Sequence, residues 1–254
     1  PPMRSAGTQR ASKFSQYLPE FGYEPDVLTT SAFGDDRQGA LAESVLRAWE
    51  PIGLYRRLRN PDARQDPAAA ARVRTGGPRS RLRRWRERLL IPDGQVTWLP
   101  TAAMAALRHL QQSDTQLIFS TSPPPSSLLL GRFLRRQTGL PWVADLRDAW
   151  TFDPLDPALL RQPFRRAVEE RMEAAVMADA DLIITATHTA ADDLRRRYPA
   201  AGRRLRVITN GFDPMDAARL PEGRLFDDDA GASDEMPPPE PMQMPATGEP
   251  LQLV

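Results

Sequence analysis

The chain has 254 residues, 41% of them hydrophobic, enough to bury the core of one large or two small domains. It contains no cysteine, which excludes a disulfide framework and any cysteine-ligated metal, and His109 and His188 are its only imidazoles, so no metal site is expected. The formal net charge of +1 hides a polarity: arginines crowd positions 56–88, whereas the stretch from Glu222 onward is rich in Asp, Glu and Pro.

In chain order, Ala11, Phe14, Tyr17 and Leu18 recur at helical spacing over Thr8–Leu18, and Phe21-Gly22 supplies a helix stop. Asp26–Thr29 reads as a short buried strand, and Leu41–Trp49 as one helix. Leu82, Trp85, Leu89 and Leu90 share one face of a helix over Pro78–Leu90 whose remaining positions are largely arginine, and Ile91-Pro-Asp-Gly94 ends it. Thr101 is the expected N-cap of a helix over Ala102–Leu110. Strands then alternate with helices: Gln116–Ser120, a helix from Ser126 or Ser127 to Gln137 closed by Gly139, Trp142–Asp145, Pro163–Ala178, Asp181–Thr185, Thr189–Arg197 and Leu205–Thr209. Short apolar strands separated by helices predict an α/β fold, a Rossmann-like open parallel sheet with helices on both faces and ligands at the carboxyl ends of the strands.

Three loops at such strand ends carry chemistry. Ser120, Thr121 and Ser122 lead through three prolines to a helix N-terminus, an arrangement suited either to binding an anion or to a capped, proline-stiffened turn. Asp145, Arg147 and Asp148, beside Trp150, could bind a hydroxylated or phosphorylated ligand or transfer a proton; a structural Arg–Asp pair is the competing reading. Asn210-Gly211 makes a tight turn after the last strand. Ahead of the first helix, Gly7 would let the backbone approach a phosphate while Arg10 supplies charge. His188 reads as a helix-capping or surface residue, and His109, near a helix C-terminus, as structural.

Within the arginine block, Arg81, Arg83, Arg84, Trp85 and Arg86 suit an interfacial helix on an anionic inner-membrane surface, with a plain solvated face as the alternative. A single interleaved aromatic and no recognisable motif argue against nucleic acid. No apolar run is long enough to span a bilayer as a helix and the first ten residues lack the pattern of a secretion signal, so the expected location is cytoplasmic, either soluble or peripheral on the inner face of the cytoplasmic membrane.

Several phrases, in order, resemble the N-terminal domain of family 4-type glycosyltransferases, in particular a bacterial subgroup acting on cell-surface polysaccharide or glycolipid. They are Pro1-Pro-Met-Arg-Ser-Ala-Gly-Thr-Gln-Arg10 with Lys13-Phe14 and Tyr17–Gly22, Ile91-Pro-Asp93 with Trp98-Leu-Pro100, Ser120–Pro124, Leu140–Thr151 and Ile208–Asp213. The resemblance implies one half of a two-Rossmann-domain (GT-B) enzyme that moves a sugar from a nucleotide-sugar donor to a glycan or lipid-linked acceptor with retained configuration. It implies no cofactor or metal beyond the nucleotide-sugar co-substrate. By the same resemblance the turn around Gly7 approaches the donor phosphates, and Arg147 or Asp148 stands where many relatives carry a histidine near the reacting sugar. The expected organisation is a Rossmann-like domain over residues 1–220 lacking its first strand, a flexible acidic, proline-rich linker over 221–249, and the start of a donor-binding domain at 250–254. On that expectation the chain is a fragment, inactive alone. Two other functions compete: a nucleotide-sugar epimerase of the same fold, and a non-catalytic basic module binding membrane or nucleic acid through residues 56–88.

Overall fold

A computed structural model describes residues 6–31, 45–50, 90–148, 150–152 and 162–211. The chain divides into two compact units, Pro1–Asn210 and Gly211–Val254, and of the second only Gly211 is among the described residues. The basic helix expected over Pro78–Leu90, apart from Leu90 itself, lies outside them, as do the linker over 221–249 and residues 250–254.

Helix α1 spans Ala6–Tyr17 and tightens into a 3-10 turn over Leu18–Phe21. Gly22 ends it at φ 81°, a left-handed conformation that costs glycine little, and its amide donates to Pro19 O. Strand β1 (Val27–Thr30) pairs in parallel with β2 (Val45–Ala48), Val27 opposite Val45. The helix expected over Leu41–Trp49 is therefore a strand in its described part: Leu46, Arg47 and Ala48 favour helices, but pairing with β1 overrides that weak preference. Helix α2 covers Leu99–Leu110 after a 3-10 turn over Val96–Trp98. It starts two residues before Thr101, with Pro100 in its first turn where a missing N–H is harmless, and Thr101 Oγ1 instead donates to Trp98 O and Trp49 O. Helix α2 packs against β1, β2 and the next helix, α3 (Ser126–Thr138). His109 near its C-terminus meets Asp26 at 2.7 Å, a structural contact in line with its expected role.

The main sheet has the parallel order β3-β4-β5-β6: Ile118–Ser122, Trp142–Leu146, Leu182–Thr185 and Leu205–Val207. Helices α3 (Ser126–Thr138), α4 (Pro163–Asp179) and α5 (His188–Arg197) make the crossovers. Parallel crossovers are right-handed, and all three step in the same direction, which places these helices on one face. Helix α1 covers the other: Phe14 packs edge-on against Phe119, whose side chain points away from that of Ser120. The expected α/β architecture with helices on both faces of a parallel sheet is what the chain adopts.

The core lies between the sheet and α3, α4 and α5, with Leu128, Trp142, Leu146, Val176, Met177, Ile183 and Leu205 almost wholly buried. Each such large side chain stabilises the fold by roughly 1.5–3 kcal/mol. Approach is closest at Gly131 on α3, where a Cβ would stand 2.4 Å from Trp142 Nε1. At the amino edge, Asp181 accepts from the Trp142 amide and from Arg135. Burial works against its charge, but these partners prevail and hold the carboxyl below its ordinary range.

Candidate functional site

The carboxyl ends of the parallel strands bring several of the candidate residues to one edge, and a clasp organises part of it. Arg10, from α1, donates through Nε and Nη2 to the two oxygens of Asp145 on β4, both at 3.2 Å. Its Nη1 donates to Thr209 O at 3.2 Å and Asn210 Oδ1 at 3.1 Å, just beyond β6. Thr121 Oγ1 adds a bond to Asp145 Oδ2 at 2.8 Å, and the guanidinium lies 4.8 Å from the Phe14 ring centroid. Four predicted site residues, Arg10, Thr121, Asp145 and Asn210, thus meet. They meet as partners of one another: the Arg10 side chain is 7% exposed and that of Asp145 0%, and both Asp145 oxygens are occupied. A proton-transfer role for Asp145 gives way to that of a buried anchor.

The loop from β3 to α3 is filled from within. Ser126 N donates to Asp93 Oδ2 at 2.7 Å, while the next three amides, of Ser127, Leu128 and Leu129, donate to the carbonyls of Pro124 and Pro125. Pro125 at the N-cap has no N–H, and the Leu129 amide makes the first regular helix bond. The donors this N-terminus could offer an anion, the amides of Ser126, Ser127 and Leu128, are therefore all spent, which favours the capped, proline-stiffened turn for Ser120–Ser127. Ser120 is not at the edge: its Oγ accepts from Trp142 Nε1 at 2.8 Å beneath Gly131. Ser122 is buried. Asp93 also accepts from the Gln95 amide at 2.8 Å; burial raises its carboxyl above the ordinary range against the pull of these amides.

The loop from β4 to α4 behaves differently. Arg147 Nε stands 3.6 Å from Asp148 Oδ2, and the Asp148 side chain is 46% exposed. Beyond them the loop is tied down: Trp150 Nε1 donates to Glu169 Oε2 at 3.0 Å, and Thr151 donates through N and Oγ1 to Glu173 at 3.3 and 2.7 Å. Glu169 also accepts from Arg165, which reaches the carbonyls of Leu90 and Pro92. Arg197 and Tyr198 donate to Glu173, and Arg197 also holds Asp193. Burial pushes the Glu169 carboxyl and the Tyr198 hydroxyl above their ordinary values, and the Glu173 charge pushes the hydroxyl further.

Sequence reasoning missed Arg165, Glu169, Glu173 and Arg197. A signal was present, because Glu169 and Glu173 fall on the same stripe of α4 as Val176 and Met177, which a solvated acid would avoid. Of the remaining candidates, Asn210 and Gly211 are exposed beyond β6, and His188 is exposed in the first turn of α5, whose N-cap is Thr187. Gly7 lies inside the first turn of α1 rather than in a turn ahead of it. Arg81, Arg83, Arg84, Trp85 and Arg86 lie outside the described residues. Among the described residues no group of three or more His, Asp or Glu side chains is disposed to hold a metal, and no helix is long and apolar enough to cross a membrane.

The sequence profile of Glycosyltransferase Family 4 matches residues 8–215, a span that takes in the clasp and all four strands of the main sheet. No curated protein matches the chain.

Proposed function

The chain belongs to glycosyltransferase family 4, and from that premise we propose that it forms the acceptor side of a retaining enzyme acting on a lipid-linked or polysaccharide acceptor of the bacterial cell envelope. Membership implies glycosyl transfer from a nucleotide-sugar donor to a glycan acceptor in general. In the proposed geometry a second domain holds the donor nucleotide against the carboxyl edge of this sheet, with no further cofactor.

The observation that carries the reading is the contrast between two aspartates three residues apart. Asp145 is consumed by Arg10 and Thr121, whereas Asp148 stays half exposed at the strand end where a ligand is expected. Asp148 accepts a hydrogen bond from the attacking acceptor hydroxyl and orients it. As the bond from the anomeric carbon to the donor phosphate oxygen breaks, the new bond to the acceptor oxygen forms, the hydroxyl proton passes to the Asp148 carboxylate and on to solvent, and the nucleoside diphosphate leaves with the bonding electron pair. Arg147 balances the Asp148 charge, and Asn210 and Gly211 offer exposed amides to the donor phosphates. The arginines at 81, 83, 84 and 86, with Trp85, hold the enzyme to an anionic inner leaflet, which liposome sedimentation with and without anionic lipid tests directly.

The experiment is transfer of radiolabelled sugar from UDP-glucose, UDP-N-acetylglucosamine and GDP-mannose to a polyprenyl-diphosphate-linked saccharide by the full-length protein that carries this domain. Labelled lipid-linked product is expected, and Asp148→Asn should lower turnover at least about tenfold with little change in thermal midpoint. Epimerised sugar nucleotide without transfer would overturn the reading, as would full activity in Asp148→Asn.

A further inference from the structure

Two carboxylates on α4 need an explanation that glycosyl transfer alone does not supply. Glu169 is 5% exposed and Glu173 0%, and acidic side chains are almost never buried so completely unless they are paired. Each does have a cation, Arg165 for Glu169 and Arg197 for Glu173. Pairing alone does not require what the other lone pairs do. Glu169 accepts the indole N–H of Trp150, and Glu173 takes both the amide and the hydroxyl of Thr151. These two loop residues follow Asp148 closely.

The two acids are four residues apart, one turn of helix, and so rise from α4 on the same side, like the loop residues they receive. The upstream end of the loop is fixed too, because Asp145 is clasped by Arg10 and Thr121. We infer that Glu169 and Glu173 are positioning residues: they pin the loop downstream of Asp148 through Trp150 and Thr151, and with the Asp145 clasp they set where the Asp148 carboxylate stands. A loop residue held at one end only swings; held at both, it presents its carboxylate in one place. Reaction rates depend steeply on such placement, since a shift of about 1 Å can cost on the order of a hundredfold.

The inference rests on the reading of Asp148 as the group that meets the acceptor, so the test separates the two. Changing Glu173 itself would remove the acceptor of Tyr198 and one of several partners of Arg197; the loop partners are the better targets, although Thr151 Oγ1 also accepts from Arg197. Thr151→Val keeps the shape and removes the hydroxyl, Thr151→Ser keeps the hydroxyl, and Trp150→Phe keeps an aromatic ring but loses the N–H and some buried volume. In the full-length protein, with the sugar nucleotide from the panel above that gives product, Thr151→Val and Trp150→Phe should each lower kcat at least about fivefold. KM for that donor should stay within about twofold, and Thr151→Ser should recover most of the rate.

The double variant Thr151→Val with Asp148→Asn should be no slower than Asp148→Asn alone, because a residue acting through Asp148 has nothing left to position. A purely structural role would instead show additive losses, or losses that track the fraction of folded protein read by circular dichroism, and either result overturns the inference. If Asp148→Asn is slow while Thr151→Val and Trp150→Phe keep full rate, the positioning role falls and the acceptor contact stands. If Asp148→Asn keeps full rate, both fall.

Discussion

Two neighbouring loops at the same sheet edge, β3 to α3 and β4 to α4, show how different uses follow from similar beginnings. Both leave a strand of the parallel main sheet and both carry polar groups. In the first, the prolines turn the chain so that the carbonyls of Pro124 and Pro125 absorb helix amides, and Asp93 takes the one that remains. In the second, buried partners hold the flanks, Asp145 on one side and Trp150 and Thr151 on the other, leaving Asp148 in solvent between them. A helix N-terminus attracts an anion only while its donors are unspent, and a loop carboxylate can serve a substrate only while its lone pairs are free.

The strongest way to break this contrast is to remove the anchor of the second loop. Arg10→Met leaves Asp145 buried with Thr121 as its remaining partner; loss of one member of a buried ion pair costs about 3–5 kcal/mol. Urea unfolding should show that loss, and a change below about 1 kcal/mol would mean that Asp145 is not held by Arg10.

The first loop is tested by Asp93→Ala, which strips acceptors from the amides of Ser126 and Gln95 and should cost about 1–3 kcal/mol. It should also uncover the donor at the start of α3. Millimolar sulfate is then expected to raise the thermal midpoint of the variant more than that of the parent. Equal shifts in both proteins would deny that Asp93 is what closes this helix end.

A smaller effect is expected with pH. Burial raises the carboxyls of Asp93 and Glu169 above 3.8 and 4.5, their ordinary values. In the window between those values and the raised ones the folded chain binds more protons than the unfolded chain. Their contribution is therefore fully present below the ordinary values and is lost as pH rises through the raised ones. Glu169→Gln should flatten the part of the stability profile that declines above pH 4.5, as read by thermal midpoints; an unchanged slope would count against a raised Glu169. The least effect belongs to the exposed pair Arg166–Glu170, where Arg166→Gln should cost no more than about 0.5 kcal/mol. A larger loss there would undo the distinction between buried anchors and solvated pairs.

Local pattern made much of this architecture readable. Ile183, Ile184 and their neighbours form apolar runs of strand length, and Gly22 and Gly139 end their helices at positive φ as glycines after such runs do. What stayed hidden depends on contacts distant in sequence. Strand β2 resembles helix in composition and becomes strand through a partner eighteen positions earlier, as the pairing of Val45 with Val27 shows. The β3–α3 turn resembled an anion site because its closing residue, Asp93, lies 33 positions earlier. Arg10 and Asp145 were both legible as site residues, yet nothing local says that they answer each other.

That clasp has a consequence for how the domain is made. Arg10 is synthesised early and its partners late: Asp145 follows by 135 residues and Asn210 by 200. At translation rates of about 5–20 residues per second, Arg10 waits roughly 7–27 s for its counter-ion and longer for the end of β6. During that interval β3 and α2 can gather on the ribosome, while α1 has the Phe14–Phe119 contact but not yet its ion pair. Helix α1 thus precedes its partners in the chain and is among the last elements of this unit to be secured.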